Sequence, residues 1–115
     1  MKLEQLRKFC STFPHVTEDI KWGSDLCFCI GGKMFAVTNA DTDDGTVSLK
    51  CTPEKFAELT EIEGVIPAPY VARYHWIAIE KPNAIAEREL KDLISKSYHL
   101  VFDKLPAKAR KELTK

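Results

Sequence analysis

Residues 21–51 read KWGSDLCFCIGGKMFAVTNADTDDGTVSLKC, and this stretch decides the fold. It contains three short apolar runs separated by two turn signals. The runs lie at residues 25–30, 33–40 and 46–51. Gly31-Gly32 permits the positive φ angles of a tight hairpin, and residues 41–45 form a longer polar loop that ends in glycine. The pattern predicts a three-stranded antiparallel meander, and no catalytic motif lies on it.

Two amphipathic helices are predicted outside the meander. Apolar residues recur at helical spacing over residues 2–12, and Pro14 ends that helix because the residue before a proline avoids the helical region. A longer helix is predicted over residues 86–104, where an apolar stripe follows one side until Pro106. The stripe consists of Leu90, Ile94, Tyr98, Val101 and Leu105, widened by Leu93 and Phe102. Residues 107–113 are expected to add one or two further turns.

A short helix and a fourth strand are predicted after the meander. Thr52-Pro53-Glu54 is typical of a helix start, and Gly64 is expected to end the helix. Two prolines keep residues 65–73 out of a helix and out of a central strand. Residues Tyr74–Glu80 are then predicted to form the fourth strand.

The order of these elements determines the expected fold class. Residues 15–24 are predicted to be a connection, with Thr17 as the N-cap of a single helical turn at Glu18–Lys21. No helix separates the first three strands, which favours an α+β fold over a doubly wound parallel sheet. We therefore expect one domain over residues 1–115, with a single antiparallel sheet and the N-terminal and long C-terminal helices on one face.

The composition narrows the classes of function. Lys and Arg number 17 and Asp and Glu also number 17, so the net charge provides no overall attraction to nucleic acid or to an anionic membrane. The charged N-terminal segment and the lack of a long apolar run predict a cytosolic protein without membrane association. We expect reduced cysteines, a monomeric state and no cofactor.

Five motifs in this order and spacing resemble the MmcQ/YjbR family. They are VTEDIKWG, IGGKMFAV, LKCTPEKFAEL, GVIPAPYVARYHWIAIE and LKDLISKSYHLVFDKLP, and the resemblance runs from about Leu3 to Leu113. It implies a small α+β domain with a curved antiparallel sheet, similar to the CyaY-like architecture and likened to a double-wing DNA-binding motif. It implies no particular enzymatic reaction.

The resemblance makes nucleic-acid binding the first functional hypothesis. Such a surface requires basic and partly aromatic residues on one face. The candidates are Lys33, Lys50, Arg73 and His75, together with the basic segment 104–115. The acidic loop residues Asp41, Asp43 and Asp44 would repel phosphates if that loop were a wing tip. The alternative is that these lysines are ordinary solvated strand ends.

The second hypothesis is a surface for a small molecule or a protein partner on the Pro67–Trp76 loop. The candidate residues for it are Trp22, Tyr70, Tyr74 and Trp76, which concentrate aromatic chemistry near a proline-fixed loop. Packing of both tryptophans in the core or under a lid is the favoured alternative. A concave pocket beside Trp76 would support a small ligand, whereas a contiguous positive face would support nucleic acid.

Catalytic and metal sites are not predicted. Cys27 and Cys29 point to the same face of one strand, about 7 Å apart, and the Cys-x-x-Cys spacing of zinc sites is missing. No signature of an oxyanion hole accompanies Cys51 or any other cysteine. We therefore expect a binding module and not an enzyme.

Overall fold

The computed structural model describes residues 1–41, 45–69, 71–81 and 83–114. Four α-helices are present in the described residues: α1 Leu3–Cys10, α2 Pro53–Leu59, α3 Glu87–Asp103 and α4 Ala107–Leu113. The described strands are β1 Thr17–Lys21, β2 Asp25–Ile30, β3 Lys33–Asn39, β4 Val47–Lys50, β5 Val65–Pro67 and β6 Trp76–Ile79. A 3₁₀ turn at Ala72–Tyr74 precedes β6.

The six strands form one antiparallel sheet in the order β1-β2-β3-β4-β6-β5. The predicted meander is present, and Gly31 and Gly32 have φ angles of 59° and 80° between the paired residues Ile30 and Lys33. Thr52 caps α2 by accepting a hydrogen bond from the Lys55 backbone N–H, as its position predicts. The α+β fold class is therefore confirmed.

The prediction for residues 17–21 is wrong, because they form strand β1 and not a helical turn. β1 pairs with β2 over its whole length, from Thr17 opposite Cys29 to Lys21 opposite Asp25. Four of its five side chains are exposed, so the strand lacks the apolar alternation by which a half-buried strand is recognised. Its backbone pairing with β2 decides its conformation, and sequence periodicity does not record that pairing.

Two boundaries near β6 also differ from the prediction. Tyr74 lies in the 3₁₀ turn, and the strand begins at Trp76 because His75 adopts a left-handed conformation with φ of 66°. Helix α2 ends at Leu59, and Gly64, with φ of 91°, instead forms the turn that leads into β5. β5 is an edge strand that ends at Pro67. This agrees with the prediction that Pro67 and Pro69 do not lie in a central strand.

One face of the sheet carries the hydrophobic core. Phe28, Ala36, Leu49 and Ile77 face one another across four neighbouring strands and are fully buried. Helices α1 and α3 pack on this covered face through a buried set consisting of Leu6, Cys10, Leu90, Leu93, Ile94, Tyr98 and Val101. No helix in the described part of the chain is long and apolar enough to cross a membrane.

At a β-bulge in β3, a buried serine of α3 forms hydrogen bonds to two strands, and we call this pair of hydrogen bonds the polar tie. Phe28 pairs with Ala36 and Cys29 pairs with Met34, so Phe35 is the extra residue, and its side chain enters the covered core. The fully buried Ser97 hydroxyl of α3 donates to the Phe35 carbonyl at 2.6 Å and accepts from the Lys50 N–H at 3.0 Å. One side chain thus bridges β3 and β4 where their direct pairing stops.

Candidate ligand groove on the open face of the sheet

The second face of the sheet, opposite α1 and α3, borders a cavity. Residues Val37, Ser48 and Ala78 pair across β3, β4 and β6 on this side, which we call the open face. A concave cavity of about 990 Å³ lies on it, and we call this cavity the groove. The segment between β5 and β6 contributes to its wall, so the predicted Pro67–Trp76 loop does border a concave pocket.

The middle of the groove is mainly apolar. Besides Trp22, the apolar lining residues are Met34, Val37, Val47, Ala68, Pro69, Val71, Trp76, Ala78 and Ile79. Trp76 is 6% exposed and begins β6, so a rigid strand fixes the position of its ring. This lining suits an apolar or aromatic ligand, since such pockets gain most of their binding free energy from buried apolar area.

The other end of the groove is polar and acidic. Asp25 pairs with Asn39 across β2 and β3, and Glu80 follows the last residue of β6. Extending the β3–β4 and β4–β6 registers by one residue places Thr46 between Asn39 and Glu80. These four residues line one end of the groove, and its lining includes no Lys, Arg or His among the described residues.

Trp22 stands at the rim of this polar end in an unusual conformation. It begins the three-residue loop between the paired residues Lys21 and Asp25, and its φ of 52° is left-handed. Its side chain is 72% exposed and lines the groove. A bulky residue in this backbone region is strained, and such strain clusters at functional sites. Trp22 is thus not part of the core, whereas Trp76 is buried as the alternative interpretation expected.

Tyr74 lies outside the groove, among basic groups. The Arg73 guanidinium is 4.8 Å from the centre of its ring and the Lys50 ammonium is 6.0 Å from it. Lys50 also donates to the Tyr74 carbonyl at 3.1 Å. The His75 ring packs edge-on against Phe56, with the ring centres 5.7 Å apart. Of the four predicted ligand-surface residues, Trp22 and Trp76 line the groove, and Tyr70 lies outside the described residues.

The predicted nucleic-acid residues occupy one end of the sheet. Lys33 begins β3, Lys50 ends the antiparallel β4, and Arg73 precedes β6, so the topology brings all three to the same end. Burial lowers the pKa of Lys50, and the nearby charge of Lys104 lowers it further. We call Lys33, Lys50, Arg73 and the neighbouring Lys104 the basic end. None of its members lines the groove, and the acidic residues Asp43 and Asp44 lie outside the described residues.

The four cysteines are free thiols in the protein interior. Burial raises the pKa of Cys10 to about 12 and that of Cys51 to about 11, and it also raises the pKa values of Cys27 and Cys29. Thiolate is then a minor form at neutral pH, which disfavours nucleophilic chemistry. The Cys51 thiol donates to the His75 carbonyl at 3.2 Å and does not meet the imidazole. No group of three potential metal ligands occurs within the described residues.

The polar end of the groove was missed by sequence reasoning. Asp25 and Glu80 are far apart in the chain, and only strand register brings them to one end of a cavity. One signal was available: Asp25 shares its strand face with Cys27 and Cys29, so the alternation of β2 already placed it opposite the covered core.

Comparison with known proteins supplies a family but no reaction. The family model YjbR matches residues 11–100. The uncharacterised protein YbdF of Escherichia coli O157:H7 is 31% identical over 87 residues, which cover 75% of this chain and 71% of YbdF. The uncharacterised protein YyaQ of Bacillus subtilis (strain 168) is 35% identical over 84 residues, which cover 73% of this chain and 70% of YyaQ.

Two crystal structures share the fold. Protein DR2400 of Deinococcus radiodurans, described as a DUF419 domain, superposes with a TM-score of 0.87 at 28% identity, covering 97% of this chain and 87% of DR2400. A protein from Pseudomonas syringae superposes with a TM-score of 0.69 at 22% identity, covering 88% of this chain and 99% of that protein. The second likeness concerns the fold alone.

Proposed function

This chain belongs to the YjbR family, and we propose that it is a binding module for a small, largely apolar molecule held in the groove. The observation that carries the proposal is the cavity itself, about 990 Å³ in volume, with Trp76 in its wall and Trp22 at its rim. Pockets for drug-sized ligands span roughly 300–1,000 Å³ and combine apolar walls with a few polar groups. The groove has both properties.

A neutral fluorescent probe tests this function directly. N-phenyl-1-naphthylamine gains fluorescence in apolar sites, and we expect it to bind saturably at one site. Ala78→Phe places a ring in the middle of the groove and should abolish this binding. Ala57→Phe makes the same change on the exposed surface of α2 and should leave binding intact. Unsaturable binding, or equal binding by the two variants, would refute the proposal.

A second proposal is weak nucleic-acid binding at the basic end. It is supported by the convergence of Lys33, Lys50, Arg73 and Lys104 at one end of the sheet. Tyr74 adds an exposed ring, 49% accessible, beside these cations. Cations position phosphates and an exposed aromatic ring can stack on a base, so the combination suits a single strand or a frayed end.

Salt dependence distinguishes this second proposal from non-specific adhesion. Fluorescence anisotropy with a labelled oligonucleotide should show binding that weakens steeply between about 50 and about 200 mM salt. Replacing Lys33, Lys50 and Arg73 together by Gln should flatten that dependence. A matched control replaces three exposed lysines elsewhere, Lys8, Lys81 and Lys91. No binding at low salt, or equal loss in both triple variants, would eliminate the proposal.

A further inference from the structure

We propose that the ligand of the groove is a cation: an apolar or aromatic body bearing a protonated amine, with the amine held between Asp25 and Trp22. This inference rests on the proposed small-molecule function and specifies its ligand class. It follows from the asymmetry of the groove, which is apolar around Trp76 and acidic at the opposite end of the same strands.

Charge complementarity is the first argument. Asp25 and Glu80 are the acidic side chains that line the groove, and no basic side chain among the described residues lines it. A carboxylate or phosphate ligand would meet repulsion there, while an ammonium group would be attracted. Apolar walls with a low local dielectric strengthen both effects relative to open water.

Neither of the two carboxylates forms a salt bridge with a neighbouring cation of the described chain. Within the described residues neither Asp25 nor Glu80 takes part in an ion pair. Lys81 follows Glu80 but turns to Glu63, with Nζ 2.6 Å from the carboxylate oxygen. Lys21 of β1 is the cross-strand partner of Asp25, and its charge reaches Cys27 and Cys29 on the same strand as Asp25. It nevertheless forms no ion pair with Asp25 and does not line the groove.

The corner formed by Asp25 and Trp22 is the better of the two acidic positions. Asp25 is half-buried at the start of β2, whereas Glu80 is exposed. Trp22 belongs to the loop that leads into Asp25, and an indole face attracts an ammonium group through its quadrupole. Three strand spacings separate Asp25 from Glu80, about 14 Å, so a single amine contacts one carboxylate and feels the other at a distance. We expect Asp25 to dominate.

Three naphthalene probes of nearly equal size test the charge preference. 1-Naphthylmethylamine is cationic at neutral pH, 1-naphthalenemethanol is neutral and 1-naphthoate is anionic. Calorimetric titration of the full chain should give about tenfold tighter binding of the amine than of the alcohol. The naphthoate should bind most weakly. The preference should shrink as salt rises, because screening weakens charge interactions in a partly open site.

Asp25→Asn should remove most of the preference for the amine while leaving affinity for the alcohol unchanged. Glu80→Gln should remove less of it. Glu61→Gln changes the net charge equally at an exposed position outside the groove and should have no effect. If Asp25→Asn does not fold, the probe series and its salt dependence on the unsubstituted chain still decide the question.

The outcomes separate this inference from the function on which it rests. Saturable binding of all three probes with equal affinity would overturn the cationic ligand and leave the small-molecule function standing. Tightest binding by the naphthoate, or an unchanged preference in Asp25→Asn, would also overturn it. Binding by none of the probes, including N-phenyl-1-naphthylamine, would refute both.

Discussion

The covered face and the open face of the sheet are made by alternate residues of the same strands. On the covered face, Phe28, Ala36, Leu49 and Ile77 pair across four strands and are fully buried. On the open face, Val37, Ser48 and Ala78 occupy the adjacent row and remain partly exposed. The covered face contributes most of the buried apolar area, so it carries stability. The open face is thereby free to carry polar and strained residues that a core would not tolerate.

The largest expected contrast is between truncating a core side chain of the covered face and truncating a side chain of the open face. Phe35→Ala removes a ring that meets Phe13 and Tyr98 edge-on, and should lower the free energy of unfolding by about 3–5 kcal/mol. Val37→Ala, two residues along on the open face, should cost less than about 1.5 kcal/mol, because its side chain is already partly exposed. Urea denaturation followed by circular dichroism measures both. Equal losses would contradict the division of roles.

The covered face and a pocket beside Trp76 could be predicted from sequence, whereas the polar end of the groove could not, and the reason is physical. Burial of one side leaves a periodic signal, such as the stripe of α3 or the alternation of β4, that one chain segment records by itself. The groove depends on register between segments far apart, such as Asp25 and Glu80. Trp22 shows the same limit, since nothing in the sequence indicates that its backbone is left-handed and its ring exposed.

A second prediction concerns the thiol of Cys10, the last residue of helix α1, which packs on the covered face. Cys10 is fully buried in the core, and burial, aided by the charge of Glu18, raises its pKa from 9.0 to about 12. The unfolded chain therefore loses this proton at lower pH than the folded chain does. Its contribution to stability is complete below about pH 9 and is lost as the pH rises towards 12.

Cys10→Ala isolates this contribution. The difference between the unfolding free energies of the parent and the variant should fall as the pH rises above 9, by at most about 1.4 kcal/mol per pH unit. Cys29→Ala, which removes a thiol on the open face of β2, should change the slope less, because the nearby charge of Lys21 opposes the rise that burial causes in the pKa of Cys29. Parallel pH profiles for the parent and Cys10→Ala would show that this thiol is not desolvated in the folded state.

The polar tie at Ser97 gives a third prediction. Ser97→Ala leaves the Lys50 N–H and the Phe35 carbonyl without this partner beneath α3. An unsatisfied buried group costs about 1–3 kcal/mol, so we expect a loss of that size. Ser95→Ala, on the same helix and less buried, should stay within about 0.5 kcal/mol of the parent. Amide exchange should also accelerate at Lys50 in Ser97→Ala alone, and unchanged protection there would argue against the tie.

The smallest predicted change in stability is a gain, and it results from replacing Trp22 at the rim of the groove. Trp22 is both strained, with φ of 52°, and 72% exposed, so its side chain adds little to the folded state. Trp22→Gly relieves the strain, since glycine adopts this conformation without steric cost, although it also frees the unfolded chain. We expect stability to be unchanged or to rise by up to about 1 kcal/mol. Removing a tryptophan from the core would instead cost several kcal/mol.

The same variant should bind the naphthylmethylamine probe several-fold more weakly, because it loses the indole face beside Asp25. Trp22→Phe is the matched comparison, since it keeps an aromatic ring but also keeps the strain; it should retain binding without gaining stability. A side chain whose removal leaves the stability unchanged but lowers the affinity for the ligand contributes to binding and not to the fold. If Trp22→Gly unfolds the protein as Phe35→Ala should, Trp22 belongs to the structural side of the comparison and the groove loses its main support.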